Sequence, residues 1–249
     1  MRSGNPALNE NVFLDAGSGQ LVTGHGDAMT LNGTVNKTFF LLMLVVLTSA
    51  GTWMQLDLVN NPGGAMPYIL TGAIGGLIVA LATTFKPTWA PVTAPLYAVV
   101  EGLFIGAVSA MYEARYPGIV MQAVGLTFAT LAALLFAYRS GMIKATENFK
   151  LGVVAATGGI FIVYLASFVL GFFGINIPMI HEGGTVGILF SLFVVTIAAL
   201  NLVLDFDFIE SGVNAGAPKH MEWYGAFGLT VTLVWLYIEF LRLLAKLRE

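Results

Sequence analysis

Residues Gly183–Glu210 read G-G-T-V-G-I-L-F-S-L-F-V-V-T-I-A-A-L-N-L-V-L-D-F-D-F-I-E. The 22 residues from Gly183 to Leu204 carry no ionisable side chain, enough for a helix to cross a hydrocarbon layer about 30 Å thick. Two aspartates, Asp205 and Asp207, close the run. Ionisable groups at or inside a bilayer are costly, so they are usually paired and functional. A step of two residues turns a helix by roughly 200°, so the two acids face apart. Asp205 lies one turn from Asn201 and two from Ala198, on a small and polar stripe, whereas Asp207 shares a face with Glu210. This pattern turns Asp205 into a helix bundle as the ion-handling acid and leaves Asp207 and Glu210 as a wet acidic rim.

Composition extends that reading to the whole chain. Of 249 residues, 57% are hydrophobic and 10% charged, with a mean hydropathy of +0.83. A soluble domain needs about a quarter of its residues charged, so the chain reads as an all-α polytopic membrane protein in contact with the lipid bilayer. The net charge of −3 and the lack of a basic cluster give no sign of nucleic acid binding. Without cysteine there is no disulfide, thiol catalysis or thiolate metal site.

Residues 1–37 are polar and glycine-rich without an apolar period, and are expected to form a mobile tail. Residues 38–249 form the transmembrane domain, with expected spans Thr38–Leu56, Pro67–Phe85, Val92–Tyr112, Pro117–Tyr138, Leu151–Phe173, Gly184–Leu204 and Trp223–Leu244. Asn60-Asn61-Pro62-Gly63-Gly64, Lys86-Pro87, Tyr116-Pro117-Gly118 and Ile177-Pro178 punctuate the connections. Trp53, Trp89 and Trp223 fall near span ends, where indole rings favour the headgroup layer. Gly72/Gly76 and Gly102/Gly106 are spaced to let helices approach closely.

With seven crossings, the side holding the N-terminus carries Arg2, Lys37, Lys86, Arg139, Lys144, Lys150 and Lys219. The other side carries Arg115, Arg242, Lys246 and Arg248. Seven against four places the N-terminus in the cytoplasm of a multi-pass protein of the cell inner membrane. Three of those four lie at the end of the last segment, so six spans plus a re-entrant segment is the alternative.

Glu101 stands mid-span in V-V-E-G-L-F-I-G, with no charge between Lys86 and Glu113. A carboxylate there must pair, face a wet cavity or keep its proton. It is read as a cation or proton site, against the ordinary alternative of a neutral hydrogen-bonded group. Glu239 is followed at i+3 by Arg242, which suggests a local interfacial pair. It also ends a stripe of Gly225, Gly228, Thr232 and Trp235 that suits a bundle interior. Asn201, Gln122 and Thr196 are ordinary interhelical hydrogen-bonding groups. His25, His181 and His220 fall outside the spans without metal-ligand spacing, and neither a G-x-S-x-G elbow nor a phosphate-binding loop occurs. The chain is therefore expected not to be an enzyme and to need no cofactor beyond transient Ca²⁺.

These residues resemble the Bax inhibitor 1-like (transmembrane Bax inhibitor motif) family, and within it a bacterial branch. The resemblance rests on the opening M-R-S-G-N-P-A-L, on Y-A-V-V-E-G-L-F-I-G-A-V-S from Tyr97, on L-V-L-D-F-D-F-I-E from Leu202, and on W-Y-G-A-F-G-L-T-V-T-L-V-W-L-Y-I-E-F-L-R-L-L from Trp223. It implies seven transmembrane helices, six wrapped around a central C-terminal helix, and an association with pH-sensitive calcium leak. It also implies a pair of acids, one ending the sixth helix (Asp205 or Asp207) and one in the seventh. The family pattern there reads roughly W-Y-x-A-L-x-L-Y-L-D, and gapless registration on Trp223 and Arg242-Leu243-Leu244 puts Thr232 at the second acid. Sliding the register would make Glu239 that acid, about 10 Å further along the axis. Asp205 is thus left to partner Glu101 or Glu239, or to act alone. Lys86 is the nearest candidate for the basic latch some members use.

The expected function is a pH-sensitive passive cation leak, with Ca²⁺ and protons as partners. Ionised Asp205 and Glu101 offer the hard oxygen ligands Ca²⁺ prefers, and protonation removes a charge that holds a gate closed. Asp207 and Glu239 are secondary acids. The competing reading is a non-conducting regulatory or scaffold protein that binds other, unspecified membrane proteins.

Overall fold

Thr30 sets the first helix boundary: its hydroxyl accepts the N–H of Gly33 at 3.0 Å and caps α1, Leu31–Gln55. The computed structural model describes residues 28–58, 61–171, 173–174 and 184–249. Further along the chain come α2 (Met66–Phe85), α3 (Ala90–Arg115), α4 (Ile119–Arg139), α5 (Glu147–Gly171), α6 (Thr185–Asn214) and α7 (Met221–Lys246). All seven are long and apolar enough to cross a membrane. The turns fall where the backbone demands them. Pro62–Ala65 and Pro87–Trp89 form 3-10 turns, and Gly118 and Gly216 take positive φ of 82° and 67° at the starts of α4 and of the α6–α7 corner.

The expected tail through residue 27, His25, His181 and the Ile177-Pro178 connection lie outside the described residues. Within them, α1 begins at Leu31 rather than Thr38, which corrects the boundary drawn at residue 37. The sequence N-G-T-V-N-K is polar, but tertiary contact overrides that: Thr34 and Thr38 are buried, and Met29 N–H donates to Ala217 at 2.6 Å. Likewise α6 runs ten residues past Leu204, to Asn214, because its polar end is gripped by neighbouring helices.

α7 is the axis. It is the most buried of the helices, and α6, α1, α4 and α3 all pack on it. α2 packs on α3, and α5 on α6, as an outer layer. At 26 residues α7 is an unbroken rod of about 39 Å, enough to cross without re-entering.

Glycine notches bring α1, α2 and α3 together. A Cβ on Gly72 would stand 2.8 Å from the Phe104 backbone nitrogen, and one on Gly106 2.8 Å from Thr52 Cβ and closer still to the Ser49 carbonyl. Small residues at these positions let backbones meet where lipid supplies no hydrophobic drive between helices. Tyr237 and Ser109 share a 2.7 Å hydrogen bond that fixes α3 on α7.

Candidate functional site

From Asn201 to Phe206 every α6 residue is buried, because this stretch lies between α7 and its neighbours. Asp205 is 0% exposed and both its carboxylate oxygens are sealed from solvent. Asp207, about 200° round the helix, instead accepts an ion pair from Lys150 at 2.8 Å and keeps part of its side chain wet. Glu210 is exposed and accepts the Tyr138 hydroxyl. Asn201 donates to Thr157 at 2.8 Å, tying α6 to α5.

Lys86, the candidate latch, follows the last residue of α2. It is exposed and sits over the Trp89 ring, 4.5 Å from the centroid, because the Pro87–Trp89 turn folds the indole back towards it. The lysine that does meet a sixth-helix acid is Lys150, from the first turn of α5.

Glu101 lies in the α2–α3 seam. A Cβ on Gly76 would come within 2.6 Å of its carboxylate, so that glycine is the notch that admits the acid. No hydrogen bond or ion pair to the Glu101 carboxylate occurs among the described residues. α3 and α6 each pack on α7 and scarcely touch one another, so Glu101 and Asp205 are held by different helix pairs. No group of three or more metal-capable side chains forms among the described residues.

Glu239 belongs to a separate cluster. It is 1% exposed and accepts from Tyr164 at 3.0 and 3.1 Å, from Trp235 Nε1 at 3.2 Å and from Arg242 at 2.9 Å. Thr232, where the family's second acid would fall, is buried and donates to the Gly228 carbonyl of its own helix. Counted along α3 and α7 from their N-terminal ends, Glu101 and Thr232 each lie about 17 Å along and Glu239 about 27 Å. Glu239 is thus about 10 Å further along α7 than Thr232.

An aromatic cluster joins α3, α6 and α7. Tyr97 of α3 meets Phe227 of α7 edge-on at 5.1 Å, Phe227 lies 6.4 Å from Tyr224, and Tyr224 lies 6.3 Å from Phe208 of α6. Glu101 follows Tyr97 by one turn and Asp205 precedes Phe208 by one, so ring-bearing residues adjoin both acids along their helices.

At the N-terminal face, sequence reasoning missed a third buried acid, in addition to Asp205 and Glu239. Glu222, in the first turn of α7, has a fully buried side chain. It accepts from Thr30 N–H at 2.9 Å and Thr30 Oγ1 at 2.8 Å, pairs with Lys219 at 2.9 Å, and also pairs with Lys37. The i,i+3 spacing from Lys219 was visible in the sequence, but nothing local signalled Lys37 or Thr30, which arrive from α1. Beside it, His220 buries Nε2 without a hydrogen-bond partner among the described residues, and burial pulls its pKa below the ordinary value.

No curated protein and no solved structure matches the chain significantly. The family model described as Bax inhibitor 1 like does match, over residues 5–249. That span takes in all seven helices, the α6 acids and the α7 register on which the resemblance was drawn, and the chain belongs to the Bax inhibitor 1 like family.

Proposed function

We propose that this membrane protein is a passive leak pathway for cations, Ca²⁺ foremost, gated by protonation of Asp205, in an inner membrane with its N-terminus cytoplasmic. The observation that carries the reading is the complete burial of a carboxylate at membrane depth, in a helix packed on the central helix. A charge in that position is expensive, so its gain or loss of a proton is a large electrostatic change at the α6–α7 seam. At the position of the family's second acid the chain carries Thr232, and Asp205 is taken as the titrating group.

In this reading the aromatic layer of Tyr97, Phe227, Tyr224 and Phe208 is the seal. Protonation of Asp205 removes the interaction its charge makes with its surroundings, α6 and α7 shift against one another, and the rings part. Glu101 offers oxygen ligands to a passing cation with water completing its shell. Lys150 and Asp207 keep α5 and α6 together while the α6–α7 contact moves.

The test is Ca²⁺ flux into liposomes carrying the purified protein, at pH 8 and pH 6. Faster entry at pH 6 than at pH 8, and than in empty liposomes, supports the leak. A gradient that stays intact at both values leaves a non-conducting scaffold.

A further inference from the structure

Between α1 and α4 the bundle wall is open. Both helices pack on α7 but scarcely touch one another, and the gap is a cleft of about 1030 Å³. Val35, Phe39 and Leu42 of α1 face Phe128, Leu131 and Leu135 of α4 across it, over a floor of Phe206 and Leu229. Val35 is 57% and Phe39 64% exposed, so the cleft opens sideways onto the bilayer.

Its length matches one leaflet. The lining runs from Leu31 to Leu42 on α1 and from Phe128 to Arg139 on α4. Each stretch rises about 16 Å, against about 15 Å for half the hydrocarbon core. The deep end is apolar and the outer end polar, which is the profile of a lipid and not of a soluble metabolite.

The charges at the outer end are unequal in availability. Asp207 is paired with Lys150 at 2.8 Å, and Glu210 keeps its charge while accepting the Tyr138 hydroxyl. Arg139 and Lys144 line the same rim, are exposed, and join no ion pair among the described residues. A guanidinium and an ammonium outside any ion pair among the described residues suit a phosphate, and Arg can bind it in bidentate fashion.

We infer that the α1–α4 cleft is a binding site for an anionic glycerophospholipid of the leaflet on the N-terminal side. One acyl chain lies between Phe39 and Leu131, and the phosphate sits between Arg139 and Lys144. The inference stands independently of ion conduction, since it needs only the cleft and its rim.

The test is native mass spectrometry of the delipidated full-length protein titrated with phosphatidylglycerol or with phosphatidylcholine of the same chains. The native protein should prefer phosphatidylglycerol. Arg139→Gln with Lys144→Gln should weaken phosphatidylglycerol by about 30-fold, at roughly fivefold per basic charge near a membrane surface, and leave phosphatidylcholine unchanged. Val35→Trp, at an exposed position that folding does not need, should fill the cleft and weaken both lipids. Equal affinity for the two lipids, no retention of either by the native protein, or a double variant that binds phosphatidylglycerol like the native protein overturns the site. Insensitivity to Val35→Trp overturns the cleft as its location.

Discussion

Glu222→Gln is the sharpest perturbation of the fold, because it keeps shape and removes charge at a wholly buried carboxylate. Oε1 of Glu222 takes Thr30 N–H, Thr30 Oγ1 and Lys219, while Oε2 takes Lys37. A glutamine keeps its oxygen for Thr30 but turns an amide donor towards an ammonium whose side chain is only 20% exposed. Removing one partner of a buried ion pair costs about 3–5 kcal/mol. Retention of the Thr30 bonds and partial access of Lys37 to water reduce that to about 2–3 kcal/mol. Lys37→Met leaves the acid three donors and should cost less, and Lys219→Met, whose lysine is 50% exposed, about 1 kcal/mol or less. Melting in detergent, followed by the loss of monodisperse protein, should fall by about 5–10 °C for Glu222→Gln. The order should be Glu222→Gln, then Lys37→Met, then Lys219→Met. A Glu222→Gln protein melting within 2 °C of the native one, on the same scale, or Lys219→Met as the worst of the three, refutes the reasoning.

Gly106→Ala should destabilise by about 1–3 kcal/mol, since its Cβ would meet the Ser49 carbonyl and Thr52. Gly125→Ala, with nothing within 4 Å, should be neutral or slightly stabilising, and equal melting shifts would contradict the notch. Burial holds the His220 pKa below its ordinary value, so the unfolded chain takes up the proton first and stability falls as pH drops below about 6.5. His220→Gln should remove that part of the acid sensitivity, and parallel loss of melting temperature from pH 7.5 to 5 in both proteins would argue against it. Phe227→Ala opens the aromatic layer between Tyr97 and Tyr224 and should raise Ca²⁺ leak at pH 8, where an unchanged leak means the seal lies elsewhere.

The crossings were readable because each is a long apolar run broken by turn punctuation, and Gly72, Gly102 and Gly106 sit where backbones meet while Gly76 admits the Glu101 side chain. The α1 start was not readable, since Leu31–Lys37 becomes helical only through Thr30, Glu222 and the α6–α7 corner. Asp205 and Asp207 parted as a two-residue step requires, one sealed and one wet. Their partners could not be read in the same way. Lys150 reaches Asp207 from another helix, and no local pattern distinguishes it from Lys86, which an adjacent turn folds onto Trp89 instead. Glu239 showed its i+3 arginine, yet Tyr164, which completes its cluster, comes from α5. The aromatic layer is assembled from α3, α6 and α7, and no single segment carries its signature.

The pH profile of Ca²⁺ flux in liposomes bearing Asp205→Asn decides the matter most directly. Asparagine fills the same space on α6 without a titratable charge, so flux should lose its dependence on pH between 8 and 6. The native protein measured beside it should keep that dependence. A variant whose flux still rises on acidification as the native protein's does would mean that the proton acts somewhere other than Asp205.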